Sequence, residues 1–307
     1  LSKDRKLLKE SSEIFTALID SIAKIPADFV IIPGDLTKDG ELINHESIAG
    51  LLKQIERSGK QVYVIPGNHD VLNYEASLYV DDQTTSVENV SPEIFETIYD
   101  EFGYGQAIAR DTISLSYVVE PVPSVWLFAL DACRYRENRP ARHSKSSGRF
   151  SKATLAWVEQ MLVQAGKKNK VVIGFMHHGI LEHFQGQDKY FSEYLVHDWE
   201  KISQLFARDN MKIVFTGHFH AQDITMKKYG KQKFIYDIET GSLVTYPCPF
   251  RIVTITDEQL MKVESRYITA IKSHPFDFPL FAQEYLKSGI YGITRQAAPG
   301  CLFGDSE

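Results

Sequence analysis

Four short segments of this 307-residue chain decide how it should fold: PGDLTKDGE (33–41), PGNHD (66–70), MHHG (176–179) and TGHFH (216–220). Each segment follows a run of apolar residues that is typical of a buried β-strand. These runs are DFVII (28–32), VYVI (62–65), VVIGF (171–175) and KIVF (212–215). Because the carboxyl ends of neighbouring strands in an open α/β sheet converge on one crevice, we expect the polar residues of the four segments to share one site.

The residue types in these segments favour a metal site. Asp, Asn and His supply oxygen and nitrogen donors without thiolate, which suits Zn²⁺, Mn²⁺ or Fe rather than copper(I) or an iron–sulfur cluster. Glycine precedes Asp35, Asn68 and His218, so the backbone can turn tightly where a strand ends. If the backbone is extended over residues 217–220, its alternation sends the imidazoles of His218 and His220 to the same side.

Helical and strand-like patterns alternate along the chain, which predicts an α/β fold. Helices are predicted over residues 4–24, 45–58, 92–101, from 152 onward after the N-cap Ser151, 194–207 and 278–287. Further strands are predicted near 114–119 and 125–130. After residue 222 the pattern changes to short runs that suggest antiparallel strands, at 233–238, 251–256 and 261–269.

Composition excludes several classes of protein. Hydrophobic residues make up 43% and charged residues 24%, which excludes collagen-like and largely disordered chains. The net charge of −6 disfavours a surface that binds polyanions, so no specific nucleic-acid binding is expected. No apolar run approaches the ~20 residues that a membrane-spanning helix needs. Cys133, Cys248 and Cys301 are odd in number and widely spaced, which argues against a disulfide framework and a structural zinc site.

Taken in order, GDLTKDGE, GNHD, HH and GHFH, each after an apolar strand, resemble the motifs of the calcineurin-like metallophosphoesterases. KLLKESSEIF (6–15) and MHHGILEHF (176–184) are similar to the bacterial branch that includes cyclic-nucleotide phosphodiesterase-like proteins. The resemblance implies an α/β (α+β) class with a four-layer β-sandwich flanked by helices. We expect this domain over residues 1–272, followed by a C-terminal helical extension or remnant over 273–307.

The resemblance also implies two divalent or mixed-valence metal ions, Mn, Fe or Zn, lying close together. Asp35 matches the aspartate that bridges both ions. Asn68, His177 and His218 match the other ligands of the second ion. His220 matches a ligand of the first ion.

The family's reaction follows from the same resemblance. His69 matches the catalytic histidine next to the leaving group, and Asp70 matches the residue that steadies it. A hydroxide bridging the two ions attacks the phosphate ester in line, so no protein nucleophile is needed. We therefore expect a metal-dependent hydrolase of phosphate esters, most simply a phosphodiesterase, with cyclic nucleotides among the candidate substrates. A phosphomonoesterase or nucleotide phosphatase on the same site and a catalytically silent scaffold are the alternatives.

One family motif is missing from the sequence. The first metal ion of the family takes two further ligands from an Asp-x-His motif on the first strand, but here Asp4 is followed two places on by Lys6, and Asp28 by Val30. We expect the chain to begin inside the domain at Leu1, just after that strand. The first-metal site is then incomplete, and a cation there should bind weakly.

Two further residues are candidates for substrate binding. His183 could contact substrate or cap a loop. Arg134 opens a basic stretch, residues 134–149, that either binds phosphate or is a solvated loop. His178 should point away from His177 and pack around the site.

Tyr74, Tyr79 and Tyr104 could line a substrate cleft by stacking on a base, or could pack in the core. The expected partner is a small phosphate-ester substrate. Oligomeric state stays open, and localisation is open between an extracytoplasmic site, as in exported relatives, and a cytoplasmic one.

Overall fold

Helices and strands alternate along most of the chain in the computed structural model, which describes residues 5–80, 83–256, 258 and 260–297. The helices are α1 (Ser11–Ala23), α2 (Leu42–Glu56), α3 (Pro92–Ile98), α4 (Lys152–Lys167), α5 (Gln187–Tyr190), α6 (Trp199–Arg208) and α7 (Phe278–Ala297). The strands are β1 (Phe29–Ile32), β2 (Gln61–Val64), β3 (Ser77–Val80), β4 (Gln83–Ser86), β5 (Ala109–Arg110), β6 (Tyr117–Val122), β7 (Val125–Leu130), β8 (Val171–Met176), β9 (Ile213–Thr216), β10 (Asp223–Lys228), β11 (Phe234–Glu239), β12 (Pro249–Ile255) and β13 (Met261–Tyr267).

The chain divides into two compact units. One contains residues 25–240, and the other contains residues 1–24 together with residues 241–307. The boundary predicted at residue 272 stays a prediction.

A seven-stranded sheet dominates the unit of residues 25–240. Its strand order is β10-β11-β9-β8-β7-β6-β5, and the four central strands β11, β9, β8 and β7 run parallel. The outer strands run antiparallel to their neighbours: β10 pairs with β11 at one edge, and β6 pairs with β7 and with the edge strand β5 at the other. Because β8 and β9 are adjacent and parallel, the residues that follow them, His177 and His218, leave the sheet at the same edge.

A second, two-stranded parallel sheet carries the other two segments. Phe29 of β1 lies opposite Gln61 of β2, and Ile32 lies opposite Val64. The sequence predicts both strands to be buried. Strand β2 is buried from Val62 onward. β1 is only half-buried, because among the described strands it is hydrogen-bonded along one edge, to β2.

The core of this unit forms where α4 and α6 pack on the seven-stranded sheet. Both helices place apolar side chains on their sheet-facing side, with Val158 on α4 and Phe206 on α6 fully buried. On β6, Val118 belongs to this core, and the neighbouring Tyr117 hydroxyl donates a hydrogen bond to the Val64 carbonyl of β2 at 2.7 Å. The predicted mixed α/β class is confirmed, with helices packed against a multi-stranded sheet.

Several predicted elements have different limits in the structure. Helix α1 begins at Ser11 instead of near residue 4, because the Leu7 amide donates to the Val244 carbonyl at 2.7 Å in place of an intrahelical bond. The N-cap at Ser151 is confirmed, since its hydroxyl accepts a hydrogen bond from the Thr154 amide at 2.9 Å. Helix α6 begins later than predicted, at Trp199.

The unit of residues 1–24 and 241–307 contains α1, the β12–β13 hairpin and α7. The antiparallel pairing predicted for this part of the chain is confirmed from Pro249 opposite Tyr267 to Ile255 opposite Met261. Helix α7 continues past the predicted end at residue 287.

In the part of the chain that the structure describes, no helix is both long and apolar enough to cross a membrane. Cys133 and Cys248 are free thiols, and Cys301 lies outside the described residues.

Phe206→Ala should lower the free energy of unfolding by about 3–5 kcal/mol, because the ring is fully buried and its removal leaves a cavity. Denaturant unfolding measures this loss. The matched control is Val163→Ala on α4, where the side chain is 51% exposed and the change should stay within about 0.5 kcal/mol. Equal losses in the two variants would contradict the assignment of the core.

Candidate metal centre

The Asp70 carboxylate joins the loop after β1 to the loop after β2. Its Oδ2 accepts hydrogen bonds from the amides of Gly67 at 2.8 Å and Leu36 at 3.1 Å. Its Oδ1 accepts from the Thr37 amide at 2.9 Å and the Thr37 hydroxyl at 3.0 Å. Asp70 is completely buried, and these charge-assisted bonds satisfy it within the protein. The sequence assigns Asp70 to the support of His69; its observed contacts set the spacing of the two loops.

Two glycines allow these loops to touch. Gly34 has φ 91°, and a Cβ there would lie 2.5 Å from the Gly67 nitrogen. A Cβ on Gly67 would lie 2.1 Å from Asp35 Oδ1. Any side chain at either position would force the loops apart and move Asp35.

His177 brings the seven-stranded sheet into contact with these loops. Its Nδ1–H donates to the Pro33 carbonyl at 2.8 Å, which leaves the lone pair on Nε2. Nε2 lies 3.1 Å from Asn68 Oδ1 and 3.4 Å from Asp35 Oδ1. A ring nitrogen and two side-chain oxygens that lie this close together can ligate one cation between them.

His218 completes the group. One ligand atom each from Asp35, His177 and His218 can be chosen so that all three lie within 4.8 Å of one another. The Nε2 atom of His218 is buried and has no hydrogen-bond partner within the described residues. Burial, together with the neighbouring His177 and His178 rings, lowers the pKa of His218 well below its usual value, so the ring is neutral and suited to metal binding. These oxygen and nitrogen donors fit Zn²⁺, Mn²⁺ or Fe.

His220 lies outside this group of three. Residues 218 and 219 form a turn, and His220 has φ 62°, so the condition of an extended backbone over residues 217–220 is not met. The alternation argument for a shared side therefore does not apply. The assignment of His220 to the first metal ion stays a prediction.

The side chain beside His69 is Asp39, a residue of the GDLTKDGE segment to which the motif resemblance assigns no role. Asp39 Oδ1 lies 3.4 Å from His69 Nδ1. The Lys38 ammonium bonds the same carboxylate and donates to the Tyr79 hydroxyl at 2.9 Å. Burial raises the pKa of Asp39, but His69 and Lys38 outweigh it and lower that pKa overall. A carboxylate four residues after Asp35 in the same loop is the sequence feature that could have indicated this pairing.

His178 packs against two of the candidate metal ligands, His177 and His218. Its ring centre lies 4.6 Å from that of His218 and 5.2 Å from that of His177. Nε2–H donates to the Ser146 carbonyl at 2.8 Å. Burial and the nearby His177 lower the pKa of His178 to about 3.

The two predicted substrate-binding residues are engaged within the protein. Arg134 donates from Nε to Glu137 at 2.9 Å and from a terminal nitrogen to the Ser147 hydroxyl at 2.7 Å. The His183 side chain is only 2% exposed, and its Nδ1 lies 2.8 Å from Asp223. Their roles in substrate binding stay predictions. Of the three tyrosines, Tyr104 is buried and packs in the core, Tyr79 bonds Lys38, and Tyr74 is 44% exposed.

Comparison with known proteins gives the family and the fold of this chain. A family model described as calcineurin-like phosphoesterase matches residues 9–222. The chain belongs to the calcineurin-like phosphoesterase family. The fold of this phosphoesterase is similar to the crystal structure of a dimetal phosphatase from Danio rerio, with a TM-score of 0.56 and 15% sequence identity over 85% of this chain and 87% of that one. A search of curated proteins found no match.

Family membership confirms the enzyme class expected from the motifs. The protein is a metal-dependent hydrolase that acts on phosphate esters. The candidate ligands Asp35, His177 and His218 lie within or next to the motifs on which the resemblance rests.

His218→Ala should weaken Mn²⁺ binding by more than roughly tenfold. Tenfold is the smaller loss seen when a residue that only hydrogen-bonds to a metal ligand is removed, and His218 is proposed to bind the metal directly. Titration calorimetry measures the affinity, and the rise in Tm on adding Mn²⁺ should shrink in parallel. His197→Ala is the control, since that side chain is 67% exposed and lies outside the group of ligands. Unchanged affinity in His218→Ala would refute the assigned centre.

His183→Asn should reduce the loss of stability at alkaline pH. Burial lowers the pKa of His183, but Asp237, Glu239 and Asp223 raise it to about 9 overall, above the ordinary value of 6.5. The ring therefore stabilises the fold fully below pH 6.5, and this contribution is lost as pH rises through 9.

Burial raises the pKa of Glu239 to about 8, from an ordinary 4.5. This raised pKa also makes stability fall as pH rises, and Glu239 is still present in the variant. Urea unfolding at about pH 6 and about pH 10 measures both proteins. An identical fall in stability in both would show that His183 does not bind the proton.

Proposed function

We propose that this phosphoesterase is a phosphodiesterase that works with two metal ions, one of them held by Asp35, Asn68, His177 and His218. The observation that carries the proposal is the convergence of acceptor atoms on one point, with His177 Nε2 lying 3.1 Å from Asn68 Oδ1 and 3.4 Å from Asp35 Oδ1. Bound divalent cations supply Lewis-acid chemistry: they activate water and offset charge that develops on the phosphoryl oxygens.

The charge balance around the site favours a diester over a monoester. A phosphodiester carries one negative charge, whereas a monoester carries close to two at neutral pH. The Lys38 ammonium, in the loop after β1, is already paired with Asp39. The Asp39 carboxylate beside His69 would also repel the more highly charged monoester. Cyclic nucleotides, which are phosphodiesters, are therefore among the proposed substrates.

The exposure of His69 and its position beside Asp39 support a role in assisting the leaving group. Its side chain is 31% exposed, so one edge of the ring can reach a bound substrate. Asp39 lies beside Nδ1 and orients the ring, which leaves Nε2 to donate a proton or hydrogen bond to the leaving oxygen. Asp70 acts indirectly, since it holds the loops that carry Asp35 and Asn68.

A panel of esters tests the proposed activity. With the full-length, Mn²⁺-loaded protein, hydrolysis of bis(p-nitrophenyl) phosphate and of a cyclic nucleotide should exceed hydrolysis of p-nitrophenyl phosphate in kcat/KM. Hydrolysis of monoesters alone would make the protein a phosphomonoesterase. Failure to hydrolyse any ester when metal binding is demonstrated would make it a silent scaffold.

Asp39→Asn should lower kcat by about a hundredfold for a diester with an alkoxide leaving group, which is the lower end of general acid catalysis. The loss should be much smaller with p-nitrophenolate, which leaves without a proton. Steady-state kinetics with both substrates measure the difference. Asp20→Asn, at an exposed position on α1, should leave both rates unchanged. Equal losses with both leaving groups would show that Asp39 does not act through His69.

A further inference from the structure

Residues 180–194, which we call the aromatic loop, form a closed loop directly after the metal-ligand segment. The Gly179 amide donates to the Tyr194 carbonyl at 3.0 Å, and the Val196 amide donates to the Gly179 carbonyl at 2.9 Å. The two ends of the loop therefore meet beside His177 and His178.

Buried polar contacts anchor the aromatic loop to β10 and β11. Asp237 Oδ2 accepts hydrogen bonds from the amides of Ile180 at 2.7 Å and Leu181 at 3.1 Å. His183 bonds Asp223 at 2.8 Å, and its own amide donates to the buried Gln187 side chain at 2.8 Å. The loop is thus held in one position relative to the sheet that carries the metal ligands.

Three rings of this loop gather around Phe219, which lies between His218 and His220 in the sequence. The Phe219 ring centre is 5.7 Å from that of Phe184, 5.7 Å from that of Phe191 and 5.0 Å from that of Tyr194. We call these four rings the aromatic cluster. It includes no charged side chain.

The aromatic cluster reaches the metal centre. The Tyr194 ring centre lies 4.7 Å from that of His218, with an angle of 40° between the planes. A phosphate held at Asp35, His177 and His218 would therefore have this cluster on the His218 side.

The outer part of the cluster is open to solvent. Phe184 is 40% exposed and Phe191 is 41% exposed, although each contacts the other rings. Large apolar surface left in water next to a polar site is typical of a ligand-binding surface. Four uncharged rings in contact offer π faces and edges, which suit a flat, uncharged aromatic group better than a sugar or an alkyl chain.

We propose that the aromatic cluster binds a planar aromatic group of the substrate, an aryl ring or a nucleobase, while the metal centre holds its phosphate. This inference rests on the proposed function for the phosphate half of the site. It makes Phe184 and Phe191 specificity-determining residues, because they lie farthest out and remain accessible.

Binding of two small probes tests the inference without relying on turnover. In titration calorimetry the full-length, Mn²⁺-loaded protein should bind phenylphosphonate at least about tenfold more tightly than methylphosphonate. A single stacking contact contributes enough free energy for a difference of this size. In Phe184→Ala/Phe191→Ala the ratio should fall to about one, while methylphosphonate affinity stays unchanged. Phe191→Leu, which keeps an apolar side chain but removes the ring, should also lower the ratio.

Tyr190→Ala is the matched control, because Tyr190 is 66% exposed on the same loop but outside the cluster. It should retain the wild-type ratio. Equal affinity of the wild-type protein for both phosphonates, or a ratio that the double variant leaves intact, would overturn the proposal.

A probe without phosphate separates this inference from the proposed function. Adenosine should shift the NMR signals of the Phe184 and Phe191 rings whether or not the protein binds either phosphonate. If neither phosphonate binds but adenosine produces these shifts, the proposed function fails and the aromatic site stands. Absence of the shifts would overturn the aromatic site.

Discussion

The candidate site depends on the buried carboxylate of Asp70. It accepts hydrogen bonds from the Gly67, Leu36 and Thr37 amides and so ties together two loops that follow different strands. A fully buried carboxylate without hydrogen-bond donors would destabilise the fold, so these donors and the folding of the two loops support each other. The clamp places Asp35 against the loop that carries Asn68. Nearby, His45 donates to the Asp70 carbonyl at 2.9 Å, which links helix α2 to the clamp.

The second requirement is that the seven-stranded sheet meets these loops. His177 makes two contacts that assemble the site. Its ring donates to the Pro33 carbonyl at 2.8 Å, which joins the sheet to the loop after β1, and its own carbonyl accepts from the His218 amide at 3.0 Å, which joins the ends of β8 and β9. The first contact orients Nε2 toward Asp35, and the second brings the His218 backbone to the same place. A group of acceptors assembled by backbone contacts is preorganised, so little reorganisation is needed when a cation binds.

The convergence of the four segments is predictable from the sequence, because apolar runs locate strands and parallel strands end at one edge. The metal-ligand types follow from the residues themselves. The position of His220 does not follow from the sequence pattern, because a turn at residues 218 and 219 replaces the extended backbone that alternation requires. Asp39 and the aromatic cluster depend on contacts between residues far apart in sequence or in irregular loops, where periodicity gives no information. Strand β10 alternates apolar and polar residues but is short and lies at the sheet edge, so its pattern is easily missed.

Anomalous X-ray diffraction from crystals of the full-length protein grown with Mn²⁺ would locate the proposed metal ion directly. We predict an anomalous peak about 2.0–2.3 Å from a carboxylate oxygen of Asp35 and from one ring nitrogen each of His177 and His218, the distances typical of such donors. The Asp70 carboxylate should still accept its backbone hydrogen bonds and contact no metal. A peak on Asp70, or none among Asp35, His177 and His218 at saturating Mn²⁺, would contradict the account.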